Sequence, residues 1–284
     1  MRWLKLTASW VPRIVLALLV FDVGYLVGIW PDWKRYNKNP VPESRFIEKY
    51  RKELPRHPEW PTLRWQPVPI RVLPDHVLRA VIVSEDSRFY SHSGFDPDAF
   101  LEAMEYNLAK KRVVYGASTI SQQTVKNMFL SASRDPLRKW HETVLTFFME
   151  RHLSKRRILE LYLNAAEFGQ GIYGIDAAAH HYWGISASQL SLEQALELAS
   201  TLPAPAKHNP ATQTKFFVHH KQKLARHMDV DLTPLHESPA TEPEARAPAV
   251  TPPSDASNAP APPSHAATPV EPAAETTTAV TVNN

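Results

Sequence analysis

Two glutamates and a group of cations are the residues whose types and spacing could do chemistry in this chain. Glu85 follows an apolar stripe of Val77, Leu78, Val81 and Ile82 at helical steps, and it meets Phe89 four residues on. A carboxylate that prolongs an apolar face is partly desolvated, which raises its pKa and suits it to proton transfer near neutral pH. The same side chain could instead close the helix end as an ion pair with Arg79 or Arg88. Asp86, Arg88, His92 and Asp96 crowd the following turn around Gly94. Further on, Arg134, Arg138 and Lys139 precede Glu142. Such a set suits a pyrophosphate, with cations for the anion and a carboxylate to hold a metal or orient a base. Arg138 and Glu142, at i and i+4, also fit a plain intrahelical ion pair worth a few tenths of a kcal/mol. Together Glu85 and Glu142 form the carboxylate pair that glycosyl chemistry commonly uses.

The stretch GASTISQQTVKN, 116–127, adds a second group. Ser118 is expected to cap a helix after the Gly116–Ala117 turn. Ser118, Gln122 and Lys126 would then share one face, with Gln123 and Asn127 beside them. Amide donors next to a lysine fit sugar hydroxyls or phosphate. A solvated helix face is the plainer alternative.

These side chains need helices to hold them. One is expected to open at Pro74, with proline in its first turn. Asp135 and Pro136 start another, and Ser154, stapled by Leu153 and Ile158, starts a third. That third helix, 153–164, reads as structural and ends in the turn EFGQGIYG, 167–174. A helix over 191–201 reads as core packing and stops at Pro203 and Pro205. Alternating β-branched runs long enough for a sheet core are absent, so the fold class is mainly α.

Composition divides the 284 residues. The last 54, 231–284, carry 11 of the 26 prolines, seven acids and one Arg, and no aromatic residue. Such a tail cannot bury enough surface to offset its ordering entropy, so it is expected to be disordered. Residues 1–230 hold 31 Lys and Arg against 22 acids, a balance of +9 where the whole chain shows +3. A basic body suggests an anionic partner: nucleic acid, acidic lipid or a phosphorylated substrate. Zero Cys excludes a disulfide scaffold, a thiolate zinc site and a cysteine nucleophile. The apolar run 14–30 is just long enough to cross a bilayer, with residues 1–13 before it. Asp22 near its middle costs roughly 2.5–3.5 kcal/mol on insertion scales. The eight prolines of 31–70 suggest an extended stalk before a folded domain at 71–228.

In order along the chain stand EDSRFYSHSGFD, GASTISQQTVKNMFL, RKWHE, LSKRRILELYLN with GIYGIDAAA, and LASTLPAP. Over 72–210 these resemble the five motifs of the peptidoglycan glycosyltransferases, the lipid II polymerases that occur alone or as the first domain of class A penicillin-binding proteins. Ala117 stands where many members have Gly, Trp183 where Phe is usual, and Ala204 where a polar residue is common. None of the three touches the proposed chemistry.

The resemblance implies a lysozyme-like, two-lobed helical domain behind a single transmembrane helix, with its catalytic domain outside the cytoplasmic (inner) membrane. It implies lipid II and the growing glycan strand as partners in place of nucleic acid, with cell-wall synthesis proteins nearby. By motif position Glu85 matches the general base. Glu142 matches the second carboxylate, which assists pyrophosphate departure directly or through Mg²⁺ or Mn²⁺. Lys126, Arg134, Arg138 and Lys139 would surround the pyrophosphates. Ser118, Thr119, Gln122, Gln123 and Asn127 would line the sugar and phosphate subsites, and Asp86, Phe89 and His92 would shape the first motif. Residues 107–115, among them Lys110, Lys111, Arg112, Val113, Val114 and Tyr115, would fall in a jaw that dips into the lipid. No Ser-x-x-Lys occurs, so polymerisation without peptide cross-linking is expected. A lytic hydrolase of the same polymer is the main competitor, but its neutral leaving group has no use for the cation cluster.

Overall fold

The computed structural model describes residues 2–38, 40–112, 116–133 and 135–229, with side chains from Trp10 onward. Arg134, the jaw residues Val113, Val114 and Tyr115, and the tail 231–284 lie outside the described residues. The protein is mainly helical, as its periodicity suggests. Helix α1 (Arg2–Gly28) runs through Pro12 and contains the span Trp10–Gly28. It is the one described helix long and apolar enough to cross a membrane, and it begins well before residue 14.

The segment expected as an extended stalk is folded instead. It carries α2 (Trp33–Tyr36), α3 (Arg45–Glu53, capped by Ser44) and a two-residue strand β1 (Arg64–Trp65). Ile47 and Tyr50 of α3 are buried. The prolines do keep the segment from long helices, as their missing amide donors require. It is held by distant partners.

The helices that follow are α4 (Asp75–Glu85), α5 (Pro97–Ala109), α6 (Ile120–Phe129), α7 (Pro136–His152) and α8 (Lys155–Ala165). Pro74 is the N-cap of α4 and not its first residue. Strands β2 (Glu167–Gly169) and β3 (Ile172–Tyr173) form a hairpin, and β1 pairs parallel with β3 to complete a small sheet. Then come α9 (Ile175–Trp183), α10 (Leu192–Thr201) and α11 (Lys215–His227). Asp96, Asp135, Ser154, Ser191 and Thr214 each accept a backbone N–H at a helix start, and at Asp135 and Ser154 this is the expected cap.

Helix α8 is the axis of the core, buried from Arg157 to Ala165. α6 packs on it, while α4 packs on α10, which also meets α11. Its polar side holds the segment before α4. Arg157 pairs with Glu160 at 2.6 Å and donates to the carbonyls of Tyr36, at 2.7 Å, and Lys38. Glu160 accepts from the Ile70 amide at 2.9 Å. Asn164 exchanges hydrogen bonds with the Val68 backbone at 2.7 and 2.9 Å. Gly174, at φ +84°, lets the chain turn within 3.1 Å of where its Cβ would meet the Asn164 carbonyl.

Candidate active site

Glu85 is the last residue of α4, so its apolar stripe delivers it to the helix end that faces α6. The bend after it is laced to α6 by polar side chains. Asp86 accepts from His92 Nε2 at 2.9 Å and, through its other oxygen, from the Ile120 amide at 3.0 Å. The Gly94 amide donates to His92 Nδ1, which assigns the Nε2 hydrogen to the bond with Asp86. Thr119 closes the lacing by donating to the Gly94 carbonyl at 2.7 Å. Neither Arg79 nor Arg88 holds Glu85; Arg88 pairs with Asp96 at 2.8 Å.

Glu85 is held by Gln123 on α6, whose Nε2 donates to Oε2 at 2.7 Å. The Gln123 carbonyl in turn accepts from Tyr162 at 3.3 Å, a buried phenol on α8. Burial pushes the Glu85 carboxyl above its ordinary range, opposed by the Gln123 hydrogen bond and the Lys126 charge. Lys126 lies one turn along α6, and burial lowers its own pKa against the pull of Glu142 and Glu85. Its ammonium thus feels both glutamates, and the two expected carboxylates face one cation.

Glu142, 2 % exposed, sits on α7. One oxygen accepts from Arg138 Nη1 at 2.6 Å and the other from Lys139. The expected helix ion pair therefore exists, enlarged to a triad. Its carboxylate is already shared by two cations with Lys126 nearby. That donor set does not fit a divalent metal ion. Another trio with ligand-like spacing, Asp86, His92 and Asp96, is committed to the lacing and to Arg88.

The structure divides most of the other expected site residues into two groups. Gln123 holds Glu85, Arg138 and Lys139 hold Glu142, and the charge of Lys126 acts on both. Asp86, Phe89, His92, Thr119 and Gln122 are buried or internally paired and build the bend after Glu85 and its junction with α6. Thr119, not Ser118, is the N-cap of α6, and it forms a capping box with Gln122. Ser118 is exposed outside the helix, which removes the expected row with Gln122 and Lys126. Asn127 is buried at 8 % exposure.

Three features escaped the sequence reading. Glu150, two turns beyond Glu142 on α7, accepts from Ser121 and from Lys155 at 2.8 Å, tying α7 to α6 and α8. Its i+8 spacing from Glu142 was the available signal. Helix α5 buries no residue and exposes Phe100, Leu101, Met104 and Leu108, an apolar face upstream of the basic stretch expected to touch lipid. His141 and Trp140 reach Asp22 of α1, a pairing across more than a hundred residues that no local pattern signals.

The sequence model of the family described as Transglycosylase matches residues 57–229. The match begins ahead of the motifs, inside the segment bound to α8. The biosynthetic peptidoglycan transglycosylase of Nitrosospira multiformis is 41% identical over 196 residues, 69% of this chain and 85% of that one. The protein of that name from Janthinobacterium sp. is 38% identical over 219 residues, 77% of this chain and 92% of its own. Its counterpart in Laribacter hongkongensis is 35% identical over 221 residues, 78% and 97% of the two chains.

Proposed function

The chain belongs to the transglycosylase family, and we propose that its paired glutamates polymerise lipid II into peptidoglycan strands by inverting transfer. It is a peptidoglycan glycosyltransferase associated with the membrane through an apolar N-terminal helix. The observation that carries the mechanism is a pair of differently held carboxylates, Glu85 on the Gln123 amide and Glu142 on Arg138 and Lys139, with the Lys126 charge acting on both.

Glu85, deprotonated, takes the proton from the 4-hydroxyl of the acceptor sugar. A base whose pKa has been raised towards neutrality is a more effective proton acceptor than an ordinary carboxylate. The freed oxygen forms a bond to the anomeric carbon of the growing strand as the bond from that carbon to the pyrophosphate oxygen breaks. The electron pair leaves on undecaprenyl pyrophosphate. Lys126, Arg138 and Lys139 are the donors for that developing charge, held in place before the reaction begins. Glu142 holds Arg138 and Lys139 in position to meet it.

The address follows from the same reading. Helix α1 anchors the protein in the cytoplasmic membrane, with the catalytic domain on the outer face where lipid II is displayed. The exposed apolar face of α5 rests on the lipid beside it. The test is incubation of the purified full chain with labelled lipid II. Long glycan is expected; shortened glycan from a preformed strand points to a lytic enzyme, and no change to a silent scaffold.

A further inference from the structure

The anchor helix does more than tether, because its last turns lie against the helix that carries Glu142. His141 Nε2 donates to Asp22 Oδ1 at 2.6 Å, and Trp140 Nε1 donates to Asp22 Oδ2 at 3.2 Å. The Tyr25 ring rests on His141 with centroids 4.7 Å apart, and Trp30 meets Phe148 edge-on at 4.6 Å. Both oxygens of a carboxylate within an apolar span are thereby satisfied by α7, whose His141 is buried and adjoins Glu142 in sequence. Carboxylates in spans are costly and persist where they are paired.

Between the two helices runs a groove of about 740 Å³. Leu18, Leu19 and Tyr25 line one wall, Leu137 and Trp140 the other, and Arg138 also lines it. Arg138 donates to Glu142 through Nη1, while its buried Nε–H has no acceptor among the described residues. Asp135, also on the lining, is engaged by Ser133 and by the Arg138 amide. An apolar trough whose lining includes a cation suits a long hydrocarbon chain joined to a phosphate. A second membrane helix would fill the trough but bring no anion to Arg138.

We propose that this groove seats the stretch of the substrate's polyprenyl chain next to its pyrophosphate, and that Asp22 and His141 form the clasp holding its walls together. The inference rests on the glycosyltransferase reading above. Asp22 and His141 are positioning residues: they act by setting the distance between α1 and α7.

The test compares the full chain in detergent with Asp22→Leu, His141→Leu and Asp22→Asn variants. Each is assayed on lipid II bearing the full-length chain and on an analogue with a truncated chain. Wild type is expected to show a lower KM for the full-length substrate. Either Leu variant raises that KM about tenfold, the worth of one lost buried hydrogen bond. The advantage of the long chain over the short one then disappears. Asp22→Asn, whose amide oxygen can still accept from His141, retains most of the advantage. An equal loss of kcat on both substrates shows a merely structural contact and overturns the proposal. Unchanged KM with cross-linking between the anchors of two copies gives the groove to a second chain and also overturns it. A wild-type protein inert on both substrates overturns the glycosyltransferase reading and the clasp with it.

Discussion

Gln123 donates its amide N–H to Glu85 Oε2 at 2.7 Å, and this hydrogen bond ties the carboxylate at the end of α4 to α6. Two opposed influences meet there. Desolvation favours the protonated acid, while the amide and the Lys126 charge favour the ionised base. The Gln123 amide and the Lys126 charge thus limit the rise that burial imposes on this carboxyl.

Replacing Glu85 by Gln keeps the side chain's shape and removes its basicity. Glycan synthesis from lipid II should fall by about 10²–10⁴-fold, the usual contribution of a positioned proton acceptor. Binding of lipid II, measured separately by fluorescence quenching, should persist because Lys126, Arg138 and Lys139 are untouched. Near-normal polymer yield from this variant sinks the assignment of the base.

Gln123→Leu removes a donor that stabilises the charged form of Glu85, so the carboxyl should rise further. The base must be ionised to work. The acid limb of the kcat/KM profile should therefore move to higher pH than in wild type. A pH series on lipid II turnover reads this directly, and a limb shifted downward contradicts the arrangement.

Arg157 is 6 % exposed and donates to Glu160 and to the carbonyls of Tyr36 and Lys38. Arg157→Met strands a buried carboxylate and frees the segment before α4, and it should cost about 3–5 kcal/mol of stability. The double variant Arg157→Met with Glu160→Met should lose less than the sum of the singles, because it leaves no unpaired charge. Denaturant titration of the four proteins in detergent gives the comparison.

These residues also mark what could be read before the fold was seen. Helix starts at Asp135 and Ser154 were legible because a cap acts on amides two or three residues away. Glu85 was legible because periodicity carried an apolar face up to it. Ser118 misled, since it and Thr119 both stand at plausible cap positions, and only Thr119 has Gln three residues on to return the hydrogen bond. The supposed stalk misled more. Its prolines report local backbone bias, whereas its anchors, Arg157, Glu160 and Asn164, lie about a hundred residues away on α8. Asp22 and His141 are hidden by the same separation.

Gly94 sits at φ +93° in the bend after Glu85, where a Cβ would come within 2.8 Å of Thr146 Cγ2 and 3.0 Å of Glu150 Cγ. Gly94→Ala should destabilise the protein by about 1–3 kcal/mol, from the strained backbone and the clash. It should also lower turnover, because the Gly94 carbonyl holds Thr119 and so fixes α6 against α4. Thermal melting and lipid II turnover on one preparation should fall together.

Glu167, in β2, gives a stability prediction whose sign follows from burial. Desolvation pushes its carboxyl up to about 7, only partly offset by the Gly171 amide. The unfolded chain releases this proton near the ordinary value of about 4.3. Between those values the folded protein binds more protons than the unfolded one, so Glu167 makes stability fall as pH rises through that window. Glu167→Gln keeps an acceptor for the Gly171 amide and removes the ionisation. Its melting temperature should therefore exceed that of wild type at pH 8 by more than at pH 5. An equal difference at both pH values would mean that the strand opens to water before the carboxyl ionises.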